Sequence, residues 1–125
     1  MPYLEVIAPP FSAVRRAAFV RASTDSLITL FGVSAQTVTV YFVPVPTDGY
    51  GHDGELRHYD GPHARVLIKV HAYRRGVDIK RQAVASLTDA FAAASGVHRE
   101  RIAVYFFDRA HDEVAHAGRL SCDPE

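Results

Sequence analysis

Only one cysteine, Cys122, occurs among the 125 residues, so no disulfide can form within the chain. With no activating neighbour evident in the tail, it is read as inert. An excess of charge of one sign is also missing: 14 Lys and Arg are matched by 14 Asp and Glu, without a basic block. The footprint of a nucleic-acid or anionic-membrane binder is therefore lacking, and the expected partner is a small molecule or another protein. No positively charged segment precedes an apolar one at the start, so the cytoplasm is the expected location. The longest uncharged run, Ser26 to Thr47, is punctuated by Gly32, Ser34, Gln36, Pro44 and Pro46. It reads as a helix end followed by a strand, not as a membrane span. Seven histidines are scattered without His-x-x-x-His spacing, so neither metal nor other cofactor is expected. What is present, 48% apolar and 22% charged residues, suffices for one domain with an ordinary core.

The chain also carries a copy of itself. At an offset of 64, Val6 meets Val70, Ala8 meets Ala72, Val20 meets Val84, and Thr24-Asp25 meets Thr88-Asp89. Gly32-Val33 then meets Gly96-Val97, and Val40-Tyr41-Phe42 meets Val104-Tyr105-Phe106. Asp48, His52, Gly54 and Leu56 continue the register into Asp112, His116, Gly118 and Leu120. Matches that keep one offset, at places where structure punctuates, indicate a duplicated unit, 1–62 and 63–125.

Each unit reads as strand, helix, strand. Tyr3 to Ala8 and Val66 to Ala72 are short and rich in branched or aromatic residues. Ser12 and Asp78 are the expected helix caps, and Ile79, Ala83, Leu87 and Phe91 recur at helical spacing. Gly32 and Gly96 supply left-handed stops, and Thr37 to Val43 and Arg101 to Phe107 are the second strands. A helix of about twenty residues between two strands implies a parallel pair joined by a right-handed crossover. Two units thus predict an α+β domain, a four-stranded mixed sheet with both helices on one face. The other face, expected to be bare and apolar, requires a partner, so oligomerisation follows from pattern. Beyond the second strands, Tyr50-Gly51-His52-Asp53-Gly54 and Ala115-His116-Ala117-Gly118 predict small projecting hairpins.

Chemistry is sought where the copies differ. Pro2 opens the first strand, while its counterpart, Val66, lies in mid-chain. Removal of Met1 would leave Pro2 a free secondary amine. The loop after the first strand reads Pro9-Pro10-Phe11 in one copy and Tyr73-Arg74-Arg75 in the other. These residues resemble the tautomerase superfamily. Tyr50-Gly51-His52-Asp53-Gly54-Glu55-Leu56 resembles the hairpin of 4-oxalocrotonate tautomerase, and Arg75-Gly76-Val77-Asp78-Ile79-Lys80 its Arg-Ser-x-Glu-x-Lys segment. The second unit, from Arg75 through Tyr105-Phe106 to Gly118-Arg119, is closer to cis-3-chloroacrylic acid dehalogenase. The resemblance implies a tautomerase or MIF-like fold and a homotrimer of fused chains. It also implies Pro2 as catalytic amine and arginines holding a substrate carboxylate. Leu27 replaces the dehalogenase's helix histidine, and His116 aligns with its water-activating glutamate. Thr39 and Ala103 stand where 4-oxalocrotonate tautomerase has its second-strand arginine.

A tautomerase needs a base that is neutral near pH 7 and a group that stabilises the enol oxygen. Pro2 suits the first role, because burial and nearby guanidinium charge favour a neutral amine. Arg74 and Arg75 suit the second through charge-assisted hydrogen bonds. Tyr105 is the other candidate catalytic residue, with its twin Tyr41 read as structural, and Tyr50 and His116 complete the expected substrate-binding set. The expected reaction is keto-enol isomerisation of a small 2-oxo or enol carboxylic acid. With a protonated proline the alternative is a 3-haloacrylate dehalogenase or hydratase, or a decarboxylase like that acting on malonate semialdehyde. Asp112, Glu113 or His116 would then activate water. His71 reads as a satisfied core or interface histidine.

Overall fold

The computed structural model describes residues 1–61 and 63–124. The expected boundary between the units falls at Pro62, outside the described residues, as does Glu125. The chain runs β1 (Tyr3–Ile7), α1 (Ala13–Phe31), β2 (Thr39–Val43), β3 (Tyr50–His52), β4 (Glu55–Arg57) and β5 (Val66–Tyr73). It continues through α2 (Val77–Ser95), β6 (Ile102–Arg109), β7 (Ala115–His116) and β8 (Arg119–Leu120). The main sheet has the order β2-β1-β5-β6. β1 pairs parallel with β2 and β5 with β6, while β1 and β5 meet antiparallel. This is the mixed sheet that two strand-helix-strand units predict.

Strand periodicity divides the sheet into two faces. Leu4 and Val6 of β1, with Val66, Ile68, Val70 and Ala72 of β5, are buried in one core with Phe19, Leu27, Leu87 and Phe91 of the helices. Phe91 lies edge-on to both Phe19 and Phe11, with centroids 5.1 and 5.5 Å away. Ser12 caps α1 by accepting from Arg15 N at 3.2 Å. Asp78 does not cap α2: Gly76 is the N-cap and Asp78 sits in the first turn, where its negative charge complements the helix dipole. Gly32 and Gly96 both take positive φ, 68° and 80°, and their N–H groups close the helices on Ile28 O and Ala92 O.

The strands also differ from expectation at their ends. A single 3₁₀ turn takes Ala35–Thr37 in one unit and Arg99–Arg101 in the other, so β2 starts at Thr39 and β6 at Ile102. The open face corrects the expectation of a bare apolar surface. Its register aligns Thr39, Tyr3, His71 and Phe107 in one row and Tyr41, Glu5, Lys69 and Tyr105 in the next. His71 is buried there between the rings of Tyr3 and Phe107, at 4.3 and 4.7 Å. Its Nε2 meets Glu5 Oε1 at 2.6 Å, and its Nδ1 meets Arg109 Nη2 at 3.0 Å. A guanidinium can only donate, so Nδ1 is the acceptor and Nε2 carries the proton given to Glu5. The face is a set of stacked rings around a satisfied polar triad.

Candidate active site

Extending the β1–β5 register by one residue puts Pro2 opposite Ala72, on the helix-side face. Pro2 is fully buried, and its carbonyl accepts from Thr39 N at 3.3 Å. β5 ends at this same end of the sheet and hands the chain to Arg74 and Arg75. Arg75 folds back over the end of α1: Nη1 donates to Tyr73 O at 2.7 Å and Nη2 to Phe31 O at 3.3 Å. The guanidinium carbon lies 4.4 Å from the Phe31 ring centroid. Arg75 is thus half-buried and cross-links the two units, whereas Arg74 is exposed. One of the paired arginines is held by the fold, and the other is exposed.

The electrostatics at the chain start match this geometry. Burial, and after it the Arg75 guanidinium, lower the Met1 ammonium below its ordinary 8.0. Burial also lowers the Arg75 pKa. In the chain that begins with Met1, the Pro2 nitrogen is an amide. The nearest carboxylate along its row is Asp108, which faces Ala72 from β6. Asp108 is tied to Lys80 Nζ at 2.8 Å, so its charge is compensated. Sequence reasoning overlooked this pair; Lys80, one turn into the helix after the paired arginines, was its available signal.

The remaining candidates divide between the two ends of the sheet. His116, exposed on the β7–β8 hairpin, belongs to the Pro2 end. The Tyr73 ring stacks 3.9 Å from His111, and the Tyr73 hydroxyl donates to Ser121 Oγ at 2.8 Å, which anchors this arm on β5. Glu113 is occupied in the same segment, accepting from Ala110 N at 2.9 Å. Tyr50 lies at the other end. It stacks 4.5 Å from the buried Tyr59, and its hydroxyl accepts from Arg65 N at 3.1 Å. From Arg65 to Ala72 the strand covers about 23 Å at about 3.3 Å per residue. The chain itself does not bring Tyr50 to Pro2. Nor does it bring Tyr105 there: Tyr105 is 60% exposed on the open face, beside Lys69, three rungs from the Ala72 row.

Tyr59 is a further residue that sequence reasoning passed over. It donates to Arg65 O at 2.8 Å, and burial, then neighbouring Tyr50, push its phenol up to about 12. Among the described residues, no cluster of three or more His, Cys, Asp or Glu could hold a metal ion. Among them, too, no helix is long and apolar enough to cross a membrane.

The chain matches no protein-family model, and no curated protein matches it in sequence. Solved structures do match in shape. The fused 4-OT asymmetric trimer superposes with a TM-score of 0.85 at 21% identity, covering 95% of both chains. N1, a member of the cis-3-chloroacrylic acid dehalogenase family, gives 0.79 at 19% identity, over 94% of this chain and 82% of that one. Macrophage migration inhibitory factor of Toxoplasma gondii gives 0.77 at 16% identity, over 94% and 98%. The fold is the fused, double strand-helix-strand fold of the tautomerases.

Proposed function

We propose that the chain is an enzyme of the tautomerase superfamily that isomerises a small 2-oxo or enol carboxylic acid, with Pro2 as general base once Met1 is removed. The observation that carries this reading is the meeting of the strand start at Pro2 with the Arg75 guanidinium at one end of the sheet, where Arg74 is the next residue along the chain. Pro2 is buried in the chain that carries Met1, the Arg75 guanidinium acts on the Met1 ammonium beside it, and the nearest carboxylate along the row, Asp108, is already paired with Lys80. All three favour the unprotonated form.

The chemistry balances with these residues. Neutral Pro2 takes a proton from the carbon next to the substrate carbonyl, and the C–H electron pair becomes the new C=C bond. The carbonyl electrons move to oxygen, whose negative charge Arg75 stabilises with donors left over from Tyr73 O and Phe31 O. Arg74 holds the carboxylate. The prolinium then returns the proton to the enolate oxygen, which restores the base. Arms of neighbouring copies complete the pocket, bringing Tyr50 and Tyr105 to a second protomer's Pro2 in a homotrimer built on the ring-lined open face.

A second reading, hydration of a 3-haloacrylate or decarboxylation by a protonated proline, draws on Asp112 and His116 standing on the arm at the Pro2 end. Kinetics with phenylpyruvate and a 3-haloacrylate, using wild type and Pro2→Ala, separate the two. Enolisation that rises with pH as an amine deprotonates supports the base. Haloacrylate turnover without enolisation selects the acid, and wild-type rates in Pro2→Ala remove both readings.

A further inference from the structure

The duplicated chain has two equivalent ends, and only one carries Pro2 at the chain start. The offset of 64 takes Pro2, Tyr73 and Arg75 to Val66, Pro9 and Phe11, which the antiparallel β1–β5 pairing places at the opposite end of the sheet. The helix terminus at that end belongs to α2, and Ser95 stands for Phe31. Arg15 Nη1 donates to Ser95 O at 3.2 Å, much as Arg75 caps α1. The side chains differ in what they leave open. At the Pro2 end the Arg75 guanidinium lies over Phe31. At the other end a groove of about 600 Å³ runs between residues 8–12 and the end of α2.

Pro10 and Phe11 are its more exposed apolar lining, the Pro9, Phe91 and Val97 side chains lie buried behind them, and Arg15 and Gly61 also line it. Among the described residues no acidic side chain lines it. The Ser95 hydroxyl in the wall is already engaged with Phe91 O and Val97 N. Apolar walls with one guanidinium that retains free donors match a ligand with an apolar ring and a single carboxylate. We infer that this end is a second, non-catalytic site for an apolar aromatic monocarboxylate, bound between Phe11 and the α2 terminus with its carboxylate on Arg15. No proton transfer follows there, because the Val66 nitrogen is an amide in mid-chain. The inference stands whether or not Pro2 is a catalyst.

Phenylacetate tests it, with ¹⁵N–¹H spectra of the full chain followed through a titration. Saturable shifts at Ala8, Phe11, Ser95, Gly96 and Val97 are expected. Uncharged phenylacetamide, and phenylacetate with Arg15→Gln, should bind roughly tenfold more weakly, while Arg74→Ala leaves the affinity at these signals unchanged. Equal binding of the acid and the amide overturns the carboxylate site without recourse to a variant. Shifts confined to Phe31–Val33 and Tyr73–Gly76, or no saturable shift, also overturn it. So do groove signals that respond to protein concentration and not to phenylacetate, since a second copy then covers the groove.

Discussion

Arg74 and Arg75 are adjacent in sequence and alike in charge, yet their replacement by alanine is expected to act on different observables. Arg75→Ala removes the 2.7 Å bond to Tyr73 O, the 3.3 Å bond to Phe31 O and the stack at 4.4 Å on Phe31. At a half-exposed site the short bond contributes about 1 kcal/mol, the long one a few tenths, and the cation–π contact about 0.5 kcal/mol, together about 2 kcal/mol. Both bonds lie at partly buried positions, so a carbonyl that water does not reach would raise the loss above that figure. Arg74, exposed, should cost less than about 0.5 kcal/mol when truncated. Urea unfolding of both variants, at one fixed protein concentration, gives the comparison, and initial rates on phenylpyruvate give the other half. There, Arg74→Ala should raise KM at near-constant kcat, with kcat/KM down roughly ten- to a hundredfold, while Arg75→Ala should lower kcat as well. Equal destabilisation by the two variants, or wild-type stability in Arg75→Ala, would refute the division of labour.

Three other outcomes are expected. Because folded Tyr59 keeps its proton up to about 12 while an unfolded tyrosine releases it near its ordinary 10.0, its contribution is complete below pH 10 and declines as pH rises towards 12. Urea unfolding across that range should show a steeper decline in wild type than in Tyr59→Phe, and parallel declines would refute the assignment. Glu5→Ala strands the buried His71 Nε2–H and should destabilise the protein by about 1–3 kcal/mol, whereas an effect near zero would mean that water replaces the carboxylate. Light scattering at micromolar concentration should give the mass of three chains, and a stable monomer would leave the open face without its proposed partner.

Topology was legible in the sequence because the duplication doubled every signal. Each strand, glycine stop and hairpin was read twice, and a parallel pair within each unit follows from a helix-length connection. What escaped notice depends on how the units meet. Arg75 capping α1 and Arg15 capping α2 are contacts between halves, and neither spacing nor composition encodes which of Arg74 and Arg75 turns inward. The open face differs from expectation because Tyr3 and Glu5, and Lys69 and His71, alternate with the buried residues of their strands and place polar groups on that side. An acidic residue such as Asp78 suits both the cap and the first turn, and only backbone geometry separates them. Of the site residues, Pro2, Arg74, Arg75 and the His116 arm share one end of the chain's sheet. Tyr50 and Tyr105 do not: Tyr50 lies at the opposite end of the sheet and Tyr105 on the open face.

Titration of the Pro2 nitrogen in protein labelled with ¹⁵N-proline, followed by NMR on the protein as purified, tests the central claim most directly. The account predicts a titrating secondary amine with a pKa near neutrality, held low by burial and by Arg75, as the Met1 ammonium is in the longer form. A value above about 9 would contradict it, because an amine that stays protonated at pH 7 cannot accept a proton from carbon. A Pro2 nitrogen that shows no titration, being still bonded to Met1, would contradict it as well.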